Sequence, residues 1–471
     1  MIAVLLGCYP VFSQNKLLTY VAPEGVPMND DFSIKVRIPG GEWETVPSYM
    51  TYVDEVIGST HKPEKTSQAY FDFSGEVEVS VTSNRQTVQT CRVRPLSRNI
   101  IPQINGNTVS FKLNNPCNLS VEVNGDIFHN LHLFANPVDE YVPDLNNPDL
   151  IYFAPGIHHF ENDKFEVPSG KTVYVAGGAV LMGRILVHNA ENVKVLGRGM
   201  TDHRVKGGIH VYNSRNVLVE GLVTTQCGVT TSNKVTVRNV KSISYYQWGD
   251  GMNVYSSNDV LLDGVFCRNS DDCHTVYGAR GRNVGGCKNV TMQNATLWAD
   301  VAHPIFIGIH GNTKDPEILE NLSYINIDIL DQKEKQIDYQ GCMAINGGDN
   351  NLIRNVLFEN IRVEDFRQGQ LLQIRVFYNK KYCTAPGRSI ENVTFKNVAY
   401  NGENAELSLI AGYNEERVVK NIHFEDLKIN GLLIYDDMPE RPHWFKTSDM
   451  ARIFVGEHVE DIRFTRSIDS K

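Results

Sequence analysis

From about residue 150 onward the chain repeats one phrase. Asn192-Val193, Asn216-Val217, Asn258-Asp-Val260, Asn289-Val290, Asn321-Leu322, Asn355-Val356, Asn392-Val393 and Asn421-Ile422 each open a short strand of alternating apolar and polar residues. Most lead into a second strand after Asn or Gly, as in Asn289-Val-Thr-Met-Gln-Asn-Ala-Thr-Leu297. One such unit cannot bury its apolar side alone, so neighbouring units must stack to cover it. The spacing predicts a right-handed parallel β-helix of about nine or ten coils. Intervals between the asparagines widen from 24 (192 to 216) to 37 (355 to 392), so loops are elaborated on constant strands. Loops carried by a rigid scaffold are where function collects. The asparagines are assigned to tight turns, because Asn tolerates left-handed backbone. That role also accounts for the Asn-x-Thr sequons at Asn289 and Asn392, which are not read as glycosylation sites.

Ahead of the repeat, residues 14–135 read as a separate β-sandwich. Ser33–Ile38, Val77–Val81 and Leu119–Val123 alternate in polarity, and Pro39-Gly40-Gly41, Asn105-Gly106 and Asn124-Gly125 supply turns. Pro137, Pro143, Pro148 and Pro155 mark 136–155 as a connector, and 156–471 is assigned to the β-helix. The apolar run Ile2–Leu6 and the small-residue step before Gln14 mark 1–13 as an export signal, although no Lys or Arg precedes the run. Export to the periplasm, cell surface or medium is therefore expected. Leu6-Gly7-Cys8 also hints at a lipoprotein box. No other segment is apolar and long enough to span a membrane. A formal charge of -10 without a basic run argues against a nucleic-acid partner. Nine cysteines lack any Cys-x-x-Cys pair, so no metal site is expected and buried thiols are preferred over disulfides. Nothing in the sequence assigns an oligomeric state.

Within the repeat one segment is doubled. Asp250-Gly-Met-Asn-Val-Tyr255 returns as Asp272-Cys-His-Thr-Val-Tyr277, an offset of 22 residues from 250 to 272, with Asp271 beside the second copy. Residues one coil apart lie about 4.8 Å apart in a stack. A lone aspartate at a coil corner is usually a turn residue, but three together repel one another and one is driven to hold its proton. A protonated carboxyl beside an ionised one is the equipment of acid–base catalysis. Tyr245, Tyr246, Trp248 and Trp298 flank the segment and could stack on sugar rings as readily as pack the solenoid.

An Asp-Gly pair followed one coil later by an Asp-Asp pair resembles the right-handed β-helix glycoside hydrolases, the polygalacturonase family and the related dextranase and isopullulanase family. The polygalacturonase order is Asn-Thr-Asp, Asp-Asp, Gly-His-Gly, Arg-Ile-Lys. Here Trp248-Gly-Asp250, Ser270-Asp-Asp272 and Ala302-His303-Pro304 take the first three places, and Gln373-Ile-Arg375 is only a distant counterpart of the last. A sandwich ahead of the helix, with Asn124–Phe134 before the connector, resembles the dextranase group. The resemblance implies glycosidic hydrolysis with inversion and no cofactor. It makes Asp271 the general acid, Asp250 and Asp272 the holders and activators of water, and His303 the residue that tunes the acid by hydrogen bonding. Substrate contact is assigned to Trp248 and Trp298 as stacking rings, to Arg280 and Arg375 as cations, and to His274, Tyr277 and His310 in the same segments. The carboxylates are expected to be exposed in a cleft. Pectin-like galacturonides are favoured over neutral glucans or galactosides. Two rivals stay open. A lyase on the same fold would recruit Arg280, Arg282 or Arg375 as base, and a non-catalytic glycan-binding solenoid would not require the three aspartates together.

Overall fold

Parallel pairing begins at Leu150–Phe153, which lies against Thr172–Val175, so the first coil starts inside the stretch expected to be connector. Eleven successive parallel pairings then join twelve strands on one face, ending at Val459–Thr465. The computed structural model describes residues 15–58 and 60–467, so the export signal and Cys8 lie outside the described residues. The chain is a right-handed parallel β-helix preceded by two sandwich sheets. Coils outnumber the nine or ten expected because those at both ends lack the Asn-Val opening, as Thr172–Val175 shows.

A second face of the helix is built from Ile209–Tyr212, Cys227–Thr230, Val254–Tyr255, Thr275–Tyr277, Ile305–Gly308, Met343–Gly347 and Leu372–Val376. The third contains Met200–Thr201, Val223–Thr224, Lys241–Ile243, Phe266–Asn269 and Thr296–Ala299. Inward residues fill the bore, and each buried Val, Ile or Phe contributes about 1.5–3 kcal/mol. Toward the C-terminus the filling is an aromatic column. Tyr324, Phe358, Phe395, Phe424 and Phe464 stack with centroids 4.7–5.0 Å apart, which is one coil per ring.

The sandwich packs on the third face. Tyr49, Val53, Tyr70 and Phe134 from the sandwich meet Val180, Met200, Val223, Ile243 and Phe266 from the helix. Its longest hairpin, Tyr49–Ile57 against Thr60–Ser74, runs beside the loops of several coils. Tyr52 touches the rings of His203 (5.4 Å) and Tyr245 (5.0 Å). Further along, Lys333 and Lys335 donate from Nζ to the carbonyls of Val56 and Gly58. Eight cysteines are described, all free, with six buried and Cys91 and Cys117 half-buried. No helix among the described residues is long and apolar enough to cross a membrane.

Candidate active site

Val254 pairs with Val276 and Thr275 with Phe306. Carrying these registers back to the coil corners stacks Asp250, Asp272 and His303 in one column, with Asp271 beside it. Backbone bonds follow the same order, Gly251 N to the Asp272 carbonyl (2.8 Å) and Cys273 N to the His303 carbonyl (2.9 Å).

The turn before Asp250 is held from below. Asn269 Nδ2 donates to the hydroxyls of Ser242 and Ser244, both at 3.0 Å, and Ser270 Oγ donates to the Tyr246 carbonyl at 2.7 Å. Ser244 Oγ caps the Gly249 carbonyl. A Cβ on Gly249 would sit 2.2 Å from Ser270 Oγ, so only glycine permits this approach. Trp248 takes a φ of 62°, a left-handed geometry that a bulky residue adopts only when its surroundings impose it.

Each aspartate has a different environment. Asp272 is buried and committed: its Oδ1 accepts from His303 N (3.1 Å) and Nδ1 (2.6 Å), and its Oδ2 accepts from the Tyr277 hydroxyl (3.4 Å). His303 Nε2 faces the Tyr339 carbonyl at 3.0 Å. With an acceptor at each ring nitrogen, His303 is satisfied only as the doubly protonated imidazolium. Burial alone would lower its pKa, but the Asp272 carboxylate overrides this and the net shift is upward. Asp250 accepts from Asn253 Nδ2 at 2.7 Å. Burial, then repulsion from Asp272, pushes Asp250 up to about 6. Asp271 is half-buried, and its Oδ1 accepts the Asp272 N–H at 3.0 Å. Burial first, then the charges of Asp250 and Asp272, hold its carboxyl well above the usual range. The expected separation of protonation states is present, but desolvation leads and mutual repulsion follows.

Several expectations are corrected. Asp272 is not an exposed cleft carboxylate, and the His303 bond goes to Asp272 rather than Asp271. Trp298 is fully buried between the guanidiniums of Arg268 (3.9 Å) and Arg94 (4.4 Å), under the sandwich, so it cannot stack on a sugar. His274 is also fully buried, its Nδ1 on the Met252 carbonyl (2.6 Å), inside the bore. Tyr277 is buried parallel to Tyr255 and serves Asp272 instead of substrate. Arg375 lies over Phe377, three coils beyond Asp272 and about 14 Å along the axis. Trp248 remains available at 67% exposure. Arg280 donates to His310 Nε2 at 3.2 Å, and both line a cavity of about 250 Å³ with Lys314 and Asp349. Tyr277 joins this cavity to the aspartates, its ring edge-on to His310 at 4.8 Å. Burial, then Arg280, lowers His310 to about 4, so it stands neutral. Sequence reasoning missed Asn253, three residues after Asp250, although the spacing was in plain view. Tyr339, whose carbonyl faces His303 Nε2, was also missed, and it carries no sequence signal. Among the described residues no group of three or more His, Cys, Asp or Glu is arranged to hold a metal ion.

No curated protein sequence matches the chain. Among solved structures it is similar to Dex49A from Penicillium minioluteum, with 12% identity, coverage of 94% of this chain and 96% of that one, and a TM-score of 0.59. It also matches a family 28 exopolygalacturonase from Yersinia enterocolitica, with 10% identity, coverage of 84% and 97%, and a TM-score of 0.46. At such identity the Dex49A likeness is one of fold. The sequence model of glycosyl hydrolases family 28 matches residues 189–438, more than half of the chain and the whole of the aspartate column. The chain belongs to glycosyl hydrolases family 28 and is a glycoside hydrolase.

Proposed function

We propose that the protein cleaves an acidic, galacturonide-type glycan by single displacement with inversion at the anomeric carbon. One observation carries the mechanism: half-buried Asp271, held well above the usual carboxylate range by burial and its acidic neighbours, stands beside a carboxylate column in which Asp250 is raised to about 6. Asp271 gives its proton to the leaving oxygen as the glycosidic bond breaks. Asp250 takes a proton from the water that attacks the opposite side of the ring, and the anomeric configuration inverts. Asp272, hydrogen-bonded to the His303 ring, fixes the field around both. Solvent exchange then returns a proton to Asp271 and removes one from Asp250. The acidic substrate is supported by Arg280 and Lys314 on the cavity next to the column, since cations meet sugar carboxylates. Trp248 offers a ring to stack on.

Purified protein incubated with acidic and neutral glycans should release reducing ends from the acidic ones, without the ultraviolet absorbance of an unsaturated uronate. Cleavage of neutral glycans alone would defeat the substrate assignment, and unsaturated products would favour the lyase. Asp271→Asn should nearly abolish turnover of natural linkages while partly sparing substrates with a very good leaving group. Proton NMR of the first product should show inverted configuration, and retention would overturn the mechanism. We further assign the protein to an exported location, as the apolar run Ile2–Leu6 suggests. Fractionation of expressing cells should find it outside the cytoplasm.

A further inference from the structure

The segment from Gln332 to Gln340 follows the last strand before the Met343–Gly347 coil, and the fold wraps it round His303. The Ala302 N–H bonds to the Lys333 carbonyl at 3.2 Å, and the Tyr339 carbonyl receives His303 Nε2. The Tyr339 ring stands edge-on to the His303 ring at 4.7 Å. Between these two anchors lies Glu334, only 4% exposed. Its carboxylate accepts from Gln336 N (2.7 Å) and Gln336 Nε2 (3.3 Å), and none of the ion pairs among the described residues includes it. A buried carboxylate with no ion pair is expensive unless its charge is used. The lysines on either side turn away, both to the sandwich hairpin, at Val56 and Gly58. On the other flank Lys381 and the Tyr382 hydroxyl each bond Gln336 Oε1 at 2.9 Å.

We propose that Glu334 is a fourth carboxylate of this active site, a positioning residue that acts through space on the protons of Asp271 and His303 and is held there by the sandwich hairpin. The inference rests on the reading of Asp271 as general acid. Asp271 is faced by Asp250, Asp272 and Glu334, all acidic. His303 is faced by Asp272, Glu334 and the Tyr339 carbonyl. Lys333 is occupied with the hairpin and faces Arg367, Asp331, Glu55 and Lys335. Burial raises the Glu334 carboxyl above its ordinary range, the His303 charge and the two Gln336 bonds draw it back down, and Asp272 opposes it. Once ionised, Glu334 favours charged His303 and neutral Asp271, which are the protonated forms of both. Glu334 adds to the burial and the aspartate charges that already hold the Asp271 proton, and to the Asp272 charge that holds the His303 proton, so a neutral residue there lets both leave at lower pH.

Glu334→Gln retains the shape and, through its amide oxygen, the Gln336 N–H bond, while removing the charge and the weaker bond from Gln336 Nε2. In the full-length protein it should move the alkaline limb of the kcat/KM profile about one pH unit toward acid, with KM unchanged. The His303 ring resonances should titrate at lower pH in the same variant. Glu334→Asp keeps the charge and should return the limb toward that of the parent. A limb that stays in place while kcat merely falls would reduce Glu334 to packing and overturn the proposal. Full activity of Asp271→Asn on natural linkages would instead defeat the general-acid assignment, and the His303 titration would still report on Glu334. Lys333→Met/Lys335→Met should shift the limb in the same direction as Glu334→Gln. An unmoved limb in that double variant would remove the hairpin from the proposal.

Discussion

Asp271 and Asp272 are adjacent in sequence and opposite in what their removal should do. Asp272→Asn leaves the buried His303 imidazolium without its anion, a loss of about 3–5 kcal/mol that a urea unfolding midpoint would register. Asp271→Asn removes a carboxyl whose ionisation the fold opposes, so it should match the parent below about pH 4 and raise the midpoint at neutral pH. Asp250 supplies the pH test. Its pKa is raised to about 6 in the folded protein, so ionising it works against the fold as pH rises from roughly 4 through that value. Asp250→Asn should thus match the parent in stability below about pH 4 and exceed it above pH 6. The activity of the parent should fall as pH drops through the same value, because the base takes up a proton. Calorimetry and a kcat/KM profile across that range would check both statements.

At the scale of the strand, the repeated asparagine turns out to be a seat rather than a letter. Asn192, Asn216, Asn289, Asn321, Asn355, Asn392 and Asn421 all have φ between 54° and 63°, and each directly precedes an inward apolar residue. In Asn258-Asp-Val260 the left-handed residue is Asp259, and in the coil before it Lys234, because those precede Val260 and Val235. The side-chain amides then form a ladder from coil to coil. Asn355 Nδ2 donates to Asn321 Oδ1 at 3.2 Å, and Asn355 Oδ1 accepts from Asn392 Nδ2 at 3.1 Å. Asn355→Ala keeps a Cβ in left-handed backbone without the polar side chain that lets Asn tolerate it, and loses the ladder, costing about 1–2 kcal/mol. Asn355→Gly loses only the ladder. Melting temperatures should rank parent, Gly and Ala in that order, with roughly 1 °C per kcal/mol for a chain of this size.

For the whole molecule, the sandwich and the helix are joined by charges as well as by apolar packing. Arg198 of the helix donates from Nε to both oxygens of Asp72 in the sandwich, at 2.8 and 3.0 Å, with both side chains buried. Arg94 of the sandwich pairs with Glu122 at 2.7 Å and reaches the Leu330 carbonyl of the helix at 2.8 Å. Removing one partner of such a pair strands the other charge without water. Asp72→Asn should cost about 3–5 kcal/mol and lower the unfolding midpoint of the full chain. Asp461→Asn, at an exposed pair with Arg463, should leave it in place.

Much of this architecture was legible because it is local and periodic. Alternation within each strand dictates which residues enter the bore, and the offset of 22 between the doubled segments equals the register of Val254 with Val276, so the Asp250–Asp272 stack follows from counting. His274 was legible by the same parity, two residues before inward Val276. Trp298 was not. Its neighbours Leu297 and Ala299 point inward, so alternation correctly turns Trp298 outward. Whether an outward residue meets water or protein depends on what docks there, and the docking segment lies some two hundred residues earlier in the chain. Glu334 was illegible for the same reason. Its loop has no period, and only folding against His303 and the sandwich hairpin turns a charged stretch into part of the site. Sequence determines the stack, because stacking is decided between neighbouring coils. Tertiary structure decides which face is covered and which charges are dehydrated, because those depend on contacts that no repeat encodes.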